Sequence, residues 1–441
     1  MTTINALDVH ATLARHMLVD GLDLVFDLHR SRGAYIYDSK NGRRFLDFFS
    51  FFATNPVGIN HPRVVEPAFK QKIADVAIHN PSNPDVYTVE LAEFVETFAR
   101  HAIPAALPHL FMVAGGAVAV ENALKAAFDW KVRKNFERGA AEERGQQVIH
   151  FEQCFHGRTG YAISMTNTAD PRKTDYFPKF RWPRAVNPKL TFPLDDARLA
   201  EVAAVEKQAV LQIKDALRQN ENDVAALIIE PIQGEGGDNH FRAEFLRELR
   251  TLADENEFLL IFDEVQTGVG LTGKMWAYEH FDVMPDLLVF GKKTQVCGFL
   301  ASRRIHEVDR NVFVEASRIN STWGGNLTDM VRFGRYLEII HDERLVENAA
   351  RVGEHLLGRL GALAADFPSL VTNVRGRGLM CAFDLPATEI RNQFRRDAFK
   401  NGLLILNSGV RSIRFRPSLA LTREECDEGA DLVRKTLVAL A

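Results

Sequence analysis

Between residues 105 and 290 the sequence alternates two kinds of hydrophobic pattern. Short, continuously apolar runs predict strands that are buried on both faces, and longer stretches with apolar residues every three or four positions predict amphipathic helices. Strands and helices in alternation form a mainly parallel sheet with helices on both faces, so the predicted fold class is α/β. The predicted strands are 109–113, 148–151, 225–230, 258–263 and 287–290, and the predicted helices between them are 120–134, 203–217 and 244–256.

The two ends of the chain carry patterns of another kind. Short aromatic-rich runs at 35–37 and 45–48 flank Asn41-Gly42, which is a strong local signal for a β-hairpin. After residue 327 the sequence predicts two long helices, short strands and a last helix, which together suggest a smaller α/β domain built from both termini. These elements are helices 327–340 and 343–367, strands 370–375 and 413–416, and a helix from Arg423. We therefore expect an N-terminal segment (residues 1–58), a large domain (residues 59–326) and a C-terminal segment (residues 327–441).

Charge and hydropathy disfavour several classes of protein. With 54 Lys+Arg against 58 Asp+Glu, the net charge of -4 disfavours a nucleic-acid-binding surface. The longest uncharged apolar run spans only 110–120, whereas a membrane span needs about 20 residues. Asp8 and Arg15 stand where a signal peptide needs an apolar core. The four cysteines form no CxxC pair, so we expect a soluble, cytoplasmic protein without a disulfide framework, a metal site or a membrane partner.

Polar residues follow three successive predicted strands. Glu230 begins a glycine-rich stretch that contains Glu235, Asp263 is followed by Glu-Val-Gln-Thr-Gly, and Gly291 precedes Lys292-Lys293. A single charged residue at this place could simply begin a solvated loop, but three in succession predict one functional site. In parallel sheets such a site lies at the carboxyl ends of the strands.

A glycine turn joins the strand 109–113 to the next helix. Its sequence is Gly115-Gly116-Ala117. The free N–H groups at the start of a helix form an anion site, and the helix dipole favours negative charge there. A tight structural turn would explain the same residues without any ligand.

The order of these motifs, together with Phe155-His156-Gly157-Arg158, resembles the class III pyridoxal-phosphate-dependent aminotransferases of fold type I. The resemblance extends from the hairpin to Arg414-Phe-Arg-Pro. Within the class, the chain is most similar to members that act on the ε-amino group of L-lysine, in the stretches 290–298, 320–330 and 375–383. Many members of the class have a serine at the phosphate helix. This chain has Gly115-Gly116-Ala117 instead, so backbone amides would bind the phosphate without a hydroxyl.

The resemblance implies roles at the cofactor ring. Lys292 would hold pyridoxal 5'-phosphate as a Schiff base and move a proton between substrate and cofactor carbons. Lys293 competes for this role, but adjacent side chains cannot both reach one cofactor. Asp263 would keep the pyridine nitrogen protonated. Gln266 would hydrogen-bond the phenolic oxygen, and Phe155 would stack on the ring.

The resemblance also implies how the phosphate is bound. Gly116 and Ala117 would bind it through their N–H groups. Thr322 matches a residue that, in this family, closes the phosphate site of the neighbouring subunit. We therefore expect a homodimer with composite active sites.

The implied reaction moves the ε-amino group of L-lysine to 2-oxoglutarate. It gives L-glutamate and 2-aminoadipate 6-semialdehyde, which cyclises to piperideine-6-carboxylate. Arg158 would bind the distal carboxylate of either substrate, and Arg414 the carboxylate beside the reacting carbon of 2-oxoglutarate. Glu235 would pair with Arg414 while lysine is bound and then move aside, helped by flanking glycines that let the loop move. Gln266 would also contact the substrate.

Other substrates and another class of protein are the alternatives. Ornithine, acetylornithine and 4-aminobutyrate aminotransferases share the cofactor residues, and the stretch 50–58 departs from the glycine-rich sequence that is more usual in this class. A cofactor-binding regulator without turnover would be expected to lack Lys292 or Asp263, and both are present. Lysine degradation and the supply of an antibiotic precursor are both compatible with the resemblance.

Overall fold

The structure, a computed structural model, describes residues 4–441 and contains three sheets with helices around them. The first three residues of the expected N-terminal segment lie outside the described range. The strands are β1 (Tyr35–Asp38), β2 (Arg43–Asp47), β3 (His109–Val113), β4 (Gln147–Phe151), β5 (Arg184–Ala185), β6 (Val224–Ile229), β7 (Leu259–Asp263), β8 (Leu287–Phe290), β9 (Cys297–Ala301), β10 (Thr372–Arg377), β11 (Met380–Asp384), β12 (Leu403–Leu404), β13 (Leu406–Ser408) and β14 (Ser412–Phe415). The helical segments are α1 (Val9–Ala14), α2 (Ser50–Ala53), α3 (Pro67–Ala77), α4 (Val89–His101), α5 (Gly116–Glu137), α6 (Gly160–Met165), α7 (Asp196–Gln219), α8 (Ala243–Glu255), α9 (Leu327–Asp342), α10 (Leu345–Asp366), α11 (Thr388–Lys400) and α12 (Arg423–Val438).

The central sheet has seven strands in the order β3-β9-β8-β7-β6-β4-β5. Strands β5, β4, β6, β7 and β8 are parallel to one another, and β9 is antiparallel to both β3 and β8. All residues of β6, β7 and β8 are buried, because helices cover both faces of the sheet. The predicted α/β fold class is confirmed.

The antiparallel strand β9 was not predicted from the sequence. Its run Cys297-Gly-Phe-Leu-Ala is short and includes Gly298, and glycine usually weakens a strand. The structure gives the reason for this glycine: a Cβ atom at Gly298 would lie 2.0 Å from the carbonyl oxygen of Phe111 on β3. The glycine therefore allows β9 to approach β3 closely.

Both ends of the chain share smaller sheets. The predicted hairpin β1–β2 forms around Asn41-Gly42, with Tyr35 opposite Leu46. Strand β12 from the C-terminal segment adds to β2 in parallel, and β10, β11, β14 and β13 form a separate four-stranded sheet. We propose domain boundaries after residues 58 and 326 on this basis, although α9 also packs against α3 and α4 of the large domain. None of the helices described in residues 4–441 is long and apolar enough to cross a membrane.

The segment α2 is a left-handed turn. Its residues Ser50, Phe51, Phe52 and Ala53 have φ between 44° and 64°, a conformation that costs roughly 1–2 kcal/mol for each residue other than glycine. The carboxylate of Asp47 supports the turn by accepting hydrogen bonds from the amides of Phe49 (2.9 Å) and Ser50 (2.8 Å). Burial raises the pKa of Asp47 to about 6, although these two hydrogen bonds favour its charged form.

A second contact fixes the end of this turn. The side-chain amide of Gln295 donates to the carbonyl oxygen of Thr54 at 2.7 Å and to that of Lys292 at 3.2 Å. The left-handed turn is therefore hydrogen-bonded to the loop that follows β8.

Two glycines of α10 provide a matched test of the packing. Gly361 has open space where a Cβ atom would be, whereas a Cβ atom at Gly353 would lie 2.0 Å from the backbone of Gly378. We expect Gly361→Ala to increase the free energy of unfolding by about 0.5–1 kcal/mol, because alanine loses less backbone entropy. Gly353→Ala should decrease the free energy of unfolding by about 1–3 kcal/mol, because the backbone must shift. Urea denaturation of both variants measures this, and equal effects of the two substitutions would contradict the packing.

Candidate active site

The polar residues that the sequence places after β6, β7 and β8 come together at one edge of the central sheet. Because these strands are adjacent and parallel, their carboxyl ends bring Glu230, Asp263 and Lys292 side by side. The N-terminus of α5 follows β3 on the far side of β9. The charge of Arg414 also reaches this edge, because it influences the pKa of Lys292 together with the charges of Asp263 and Glu230. The charge of Glu235 in turn influences the pKa of Arg414.

Lys292 and Lys293 have different environments. The ammonium group of Lys293 is buried and donates to the backbone carbonyl of Gln266 at 2.8 Å, so this side chain is engaged in the structure of the loop. Lys292 has a left-handed backbone (φ 55°) and is only half-buried. Loss of hydration lowers its pKa from 10.5 to about 8, although Asp263 acts in the opposite direction. Lys292 is thus the more available amine of the two.

Asp263 is paired with a histidine for which no role was predicted. Its Oδ2 atom lies 2.8 Å from Nδ1 of His156, and Oδ1 accepts a hydrogen bond from the amide of Val265 at 3.1 Å. Burial disfavours the charged form of His156, but Cys154 and Asp263 outweigh it and raise the pKa of His156 well above its ordinary value. A positively charged His156 forms a buried ion pair with the carboxylate of Asp263. The only sequence signal for His156 was its position beside Phe155.

Glu230 connects two segments of the site through its carboxylate. One oxygen accepts from the amide of Phe155 and the other from the amide of Gly234, both at 2.9 Å. Burial raises the pKa of Glu230 to about 7, while the charge of His156 and both hydrogen bonds oppose this shift. Glu230 therefore positions the loop that carries Phe155.

The helix α5 begins with amides that have no acceptor within the helix. Gly115 is the N-cap residue with φ 100° and provides no side-chain cap. The first backbone hydrogen bond at this end runs from the amide of Ala119 to the carbonyl of Gly115. The amides of Gly116 and Ala117 lie before Ala119, so they donate to no carbonyl of the helix. Gly157 packs directly on Ala117, because a Cβ atom at Gly157 would lie 2.4 Å from that of Ala117. An anion at this helix end would meet both amides and the positive end of the dipole.

Thr322 and Arg158 are not part of the buried cluster within one chain. Both are exposed. The backbone around Thr322 is held by Asn83, whose side-chain amide donates to the carbonyl oxygens of Trp323 (2.8 Å) and Gly325 (3.2 Å). Trp323 itself is 51% exposed.

Arg414 is buried on β14 with unused hydrogen-bonding capacity. Its Nε and Nη1 atoms have no hydrogen-bond partner among residues 4–441. Burial lowers its pKa to about 10, and Arg416 adds to this effect, while Asp238 and Glu235 oppose it. Arg414 lines a cavity of about 650 Å³ together with Glu235, Lys173 and Phe52. A carboxylate entering this cavity would satisfy the guanidinium group.

The predicted pair between Glu235 and Arg414 is not formed in this structure. Instead, Oε1 of Glu235 accepts hydrogen bonds from Oγ1 of Thr168 at 2.8 Å and from the ammonium group of Lys173. Its Oε2 atom is buried and has no partner in the described range of the chain. In this structure Glu235 is thus paired with Lys173 and not with Arg414, as expected for only one of the two half-reactions.

The structure explains the glycines beside Glu235 by close packing, which differs from the expectation that they allow the loop to move. A Cβ atom at Gly236 would lie 1.8 Å from the carbonyl oxygen of Gln153, and one at Gly234 would lie 2.8 Å from the side chain of Gln266. The loop backbone is further held by the amide of Gly409, which donates to the carbonyl of Glu235 at 2.7 Å. These glycines therefore allow close packing of the loop backbone against Gln153 and Gln266.

Comparison with known proteins identifies the class to which this fold and site belong. The family model for class III aminotransferases matches residues 18–437. The chain belongs to the class III aminotransferases, which use pyridoxal phosphate as cofactor.

Within this class, the chain is 52% identical to the L-lysine-epsilon aminotransferase of Mycobacterium tuberculosis over 97% of its own length and 95% of the relative's. It is 49% identical to the L-lysine-epsilon aminotransferase of Streptomyces clavuligerus, with 99% and 96% of the two chains covered. The solved structure of lysine aminotransferase from M. tuberculosis in the internal aldimine form matches with a TM-score of 0.96 at 51% identity, covering 98% of this chain and 99% of that one. The mitochondrial 4-aminobutyrate aminotransferase of Mus musculus is 34% identical over 88% of this chain and 80% of its own.

The residues at the sheet edge fit the cofactor of the family. The side-chain nitrogen of Gln266 is buried and has no hydrogen-bond partner in the described chain, and a phenolic oxygen would satisfy it. Asp263 offers a buried carboxylate for a protonated ring nitrogen, and the free amides of α5 offer an anion site for a phosphate. Each polar part of pyridoxal phosphate therefore has a complementary group.

The lowered pKa of Lys292 leads to a prediction about its reactivity. Since the pKa is about 8, the nucleophilic neutral amine should appear as the pH rises through this value, well below the range of ordinary lysines. We treat cofactor-free protein with formaldehyde and cyanoborohydride, which methylate neutral amines. The rate of methylation of Lys292 should reach half its maximum near pH 8. Mass spectrometry of peptides measures this, with Lys292→Gln as control. Modification of Lys293 before Lys292 would contradict the assignment of environments.

Proposed function

We propose that the chain transfers the ε-amino group of L-lysine to 2-oxoglutarate. The products would be L-glutamate and 2-aminoadipate 6-semialdehyde, which cyclises to piperideine-6-carboxylate. The observation that carries this proposal is the similarity to L-lysine-epsilon aminotransferases, which covers nearly the whole of both chains at 49–52% identity. The 4-aminobutyrate aminotransferases are clearly more distant, at 31–34%.

The proposed roles at the cofactor follow from the chemistry of the residues. When bound, pyridoxal phosphate supplies an aldehyde that condenses with amines and a protonated ring that withdraws electrons from the carbon bearing the amine. Lys292 would form the covalent attachment and, with its pKa lowered to about 8, move the proton at the ε-carbon of lysine. Asp263 would hold the proton on the ring nitrogen, supported by His156. Gln266 would donate to the phenolic oxygen and contact the substrate, and Phe155 would cover one face of the ring.

A homodimer would complete the phosphate site. Gly116 and Ala117 would bind the phosphate through their amides, and the partner subunit's Thr322 would close the site. Support comes from exposed apolar side chains: Trp323 (51%), which follows Thr322, and Val86 (60%) and Tyr87 (79%), which follow the Asn83 that holds the Thr322 segment. Apolar patches of this kind commonly mark interaction surfaces.

The two substrates present their carboxylates differently, and three residues would distinguish them. Arg158 would bind the distal carboxylate of lysine or 2-oxoglutarate. Arg414 would bind the carboxylate beside the reacting carbon of 2-oxoglutarate, a role supported by its unpartnered Nε and Nη1 atoms. With lysine bound there is no carboxylate at this place, so Glu235 would neutralise Arg414. We further propose a cytoplasmic location and a role in lysine degradation or in supplying an antibiotic precursor.

The substrate assignment is tested by assaying lysine, ornithine, acetylornithine and 4-aminobutyrate as donors with 2-oxoglutarate as acceptor. We expect the highest kcat/KM for L-lysine, because its reacting amine is separated from its carboxylate as the proposed positions of Lys292 and Arg158 require. Transfer of either amino group of lysine gives a product that cyclises to a piperideine carboxylate. Transfer of the ε-amino group is identified if NMR places the carboxylate on the carbon joined to nitrogen by a single bond and not on the imine carbon. A higher kcat/KM for ornithine, acetylornithine or 4-aminobutyrate would replace the lysine assignment with that alternative.

The composite site is tested by mixing two inactive variants. Lys292→Ala lacks the amine, and Thr322→Ala should lose cofactor from the partner's site. A heterodimer of the two contains one intact site, so random mixing should restore about a quarter of the wild-type activity. Activity of refolded or co-expressed mixtures and cofactor absorbance measure this. Full cofactor retention in Thr322→Ala would disprove the contact across the interface.

The role of Glu235 is tested by separate half-reactions. Glu235→Ala leaves Arg414 permanently positive, so we expect the half-reaction with lysine to slow by roughly tenfold, the scale of one hydrogen bond to a charged group. Glutamate should become a better donor in the same variant, because its carboxylate no longer competes with Glu235. Stopped-flow absorbance of the cofactor with each donor measures both rates. Equal losses with lysine and glutamate would show that Glu235 has only a structural role.

A further inference from the structure

Glu235 has partners other than Arg414 in this structure. The ammonium group of Lys173 and the hydroxyl of Thr168 both donate to Oε1 of Glu235. Oε2 of Glu235 and Nη1 of Arg414 have no partner in the described chain and both are buried. Lys173, Glu235 and Arg414 line the same cavity. Two cations therefore compete for one carboxylate.

Lys173 is well placed to hold a carboxylate without being fixed itself. It ends a short 3-10 turn (Pro171–Lys173) that begins at Asp170, and its side chain is 31% exposed. Its ammonium group also lies 6.0 Å from the centre of the Phe155 ring, within the range of a cation–π contact. A partly exposed ion pair of this kind is strong enough to hold Glu235 and weak enough to release it.

The packed backbone around Glu235 leaves the position of its carboxylate to the competition between Lys173 and Arg414. Gly234 and Gly236 are packed against Gln266 and Gln153, and the amide of Gly409 donates to the carbonyl oxygen of Glu235, so rotation of the side chain moves the carboxylate with the least change in the backbone. The relative strength of the two contacts then determines which position Glu235 occupies.

We propose that Lys173, assisted by Thr168, is the positioning residue that holds Glu235 away from Arg414 while a carboxylate occupies Arg414. This inference rests on the proposed function, since it assigns a specificity role within the same site. Lys173 thereby favours the half-reaction with glutamate or 2-oxoglutarate, and its loss favours the half-reaction with lysine.

The test compares the two half-reactions in the holoenzyme. In Lys173→Met, Glu235 spends more time on Arg414, so the ratio of the rate constants for glutamate and lysine should fall about threefold to tenfold. Lys173→Arg should restore most of the ratio, and Thr168→Val should lower it less than Lys173→Met. Stopped-flow absorbance of the cofactor with each donor gives the ratio, and thermal unfolding shows that each variant is folded.

Arg172→Met is the matched charge control. Arg172 precedes Lys173 in the chain, lines the same cavity and pairs only with Asp170 among the described residues, with its side chain 88% exposed. Its removal takes the same charge from the same turn without touching Glu235, so the ratio should stay at the wild-type value. A fall in the ratio equal to that of Lys173→Met would mean that the general field of the cavity is responsible, which would overturn the proposal.

A double variant separates an effect through Glu235 from a direct contact with substrate. In the Glu235→Ala background there is no carboxylate to hold, so adding Lys173→Met should leave the ratio unchanged. A further fall in that background would show that Lys173 binds the substrate itself, and an unchanged ratio in the single Lys173→Met variant would show that it does not position Glu235. Either result overturns the proposal.

Failure of the substrate assignment would look different. In that case the wild-type enzyme would react with glutamate and with another ω-amino donor, such as ornithine or 4-aminobutyrate, but not with lysine. The ratio of glutamate to that donor would then measure the role of Lys173 in the same variants.

Discussion

The parallel pairing of β6, β7 and β8 is the constraint on which the site depends. Its register places the residues that follow these strands next to one another, so Glu230, Asp263 and Lys292 meet although more than 60 residues of chain separate the first from the last. The strands can pair in this way because every side chain on them is buried by helices or by neighbouring segments. A hydrophobic core thus fixes the relative positions of three ionisable groups, which loops alone would hold less rigidly.

Burying ionisable groups is costly unless each has a partner. The partners of the buried groups here distinguish residues that stabilise the loops from residues that are proposed to bind ligands. Glu264 accepts hydrogen bonds from two backbone amides and the hydroxyl of Thr267 and so stabilises the turn behind the site. The ammonium group of Lys293 likewise donates a hydrogen bond to the carbonyl oxygen of Gln266. By contrast, Arg414 and Gln266 retain buried nitrogen atoms without partners among the described residues. Groups with satisfied hydrogen bonds maintain the loops, and groups with unsatisfied ones are proposed to bind ligands.

The sequence predicted the elements that depend on local pattern. Continuous apolar runs identified β3 and β8 at their observed bounds, and Asn41-Gly42 identified the hairpin. The resemblance to class III aminotransferases supplied the site residues. Contacts between distant segments could not be read in this way: the pair of His156 with Asp263 and that of Lys173 with Glu235 join residues 107 and 62 positions apart. The same limit applies to the glycines beside Glu235, because their neighbours Gln153 and Gln266 are known only from the fold.

The hydrogen bond from Gln295 to Thr54 has a mechanical consequence. It joins the left-handed turn of the N-terminal segment to the loop that carries Lys292, and the turn itself is braced by Asp47. If the small domain swings relative to the central sheet, the segment 47–54 must stay with the lysine loop, or this bond must break. While the bond holds, the pivot of such a motion would lie outside this segment, and the cavity wall formed by Phe52 would move together with the loop that carries Lys292.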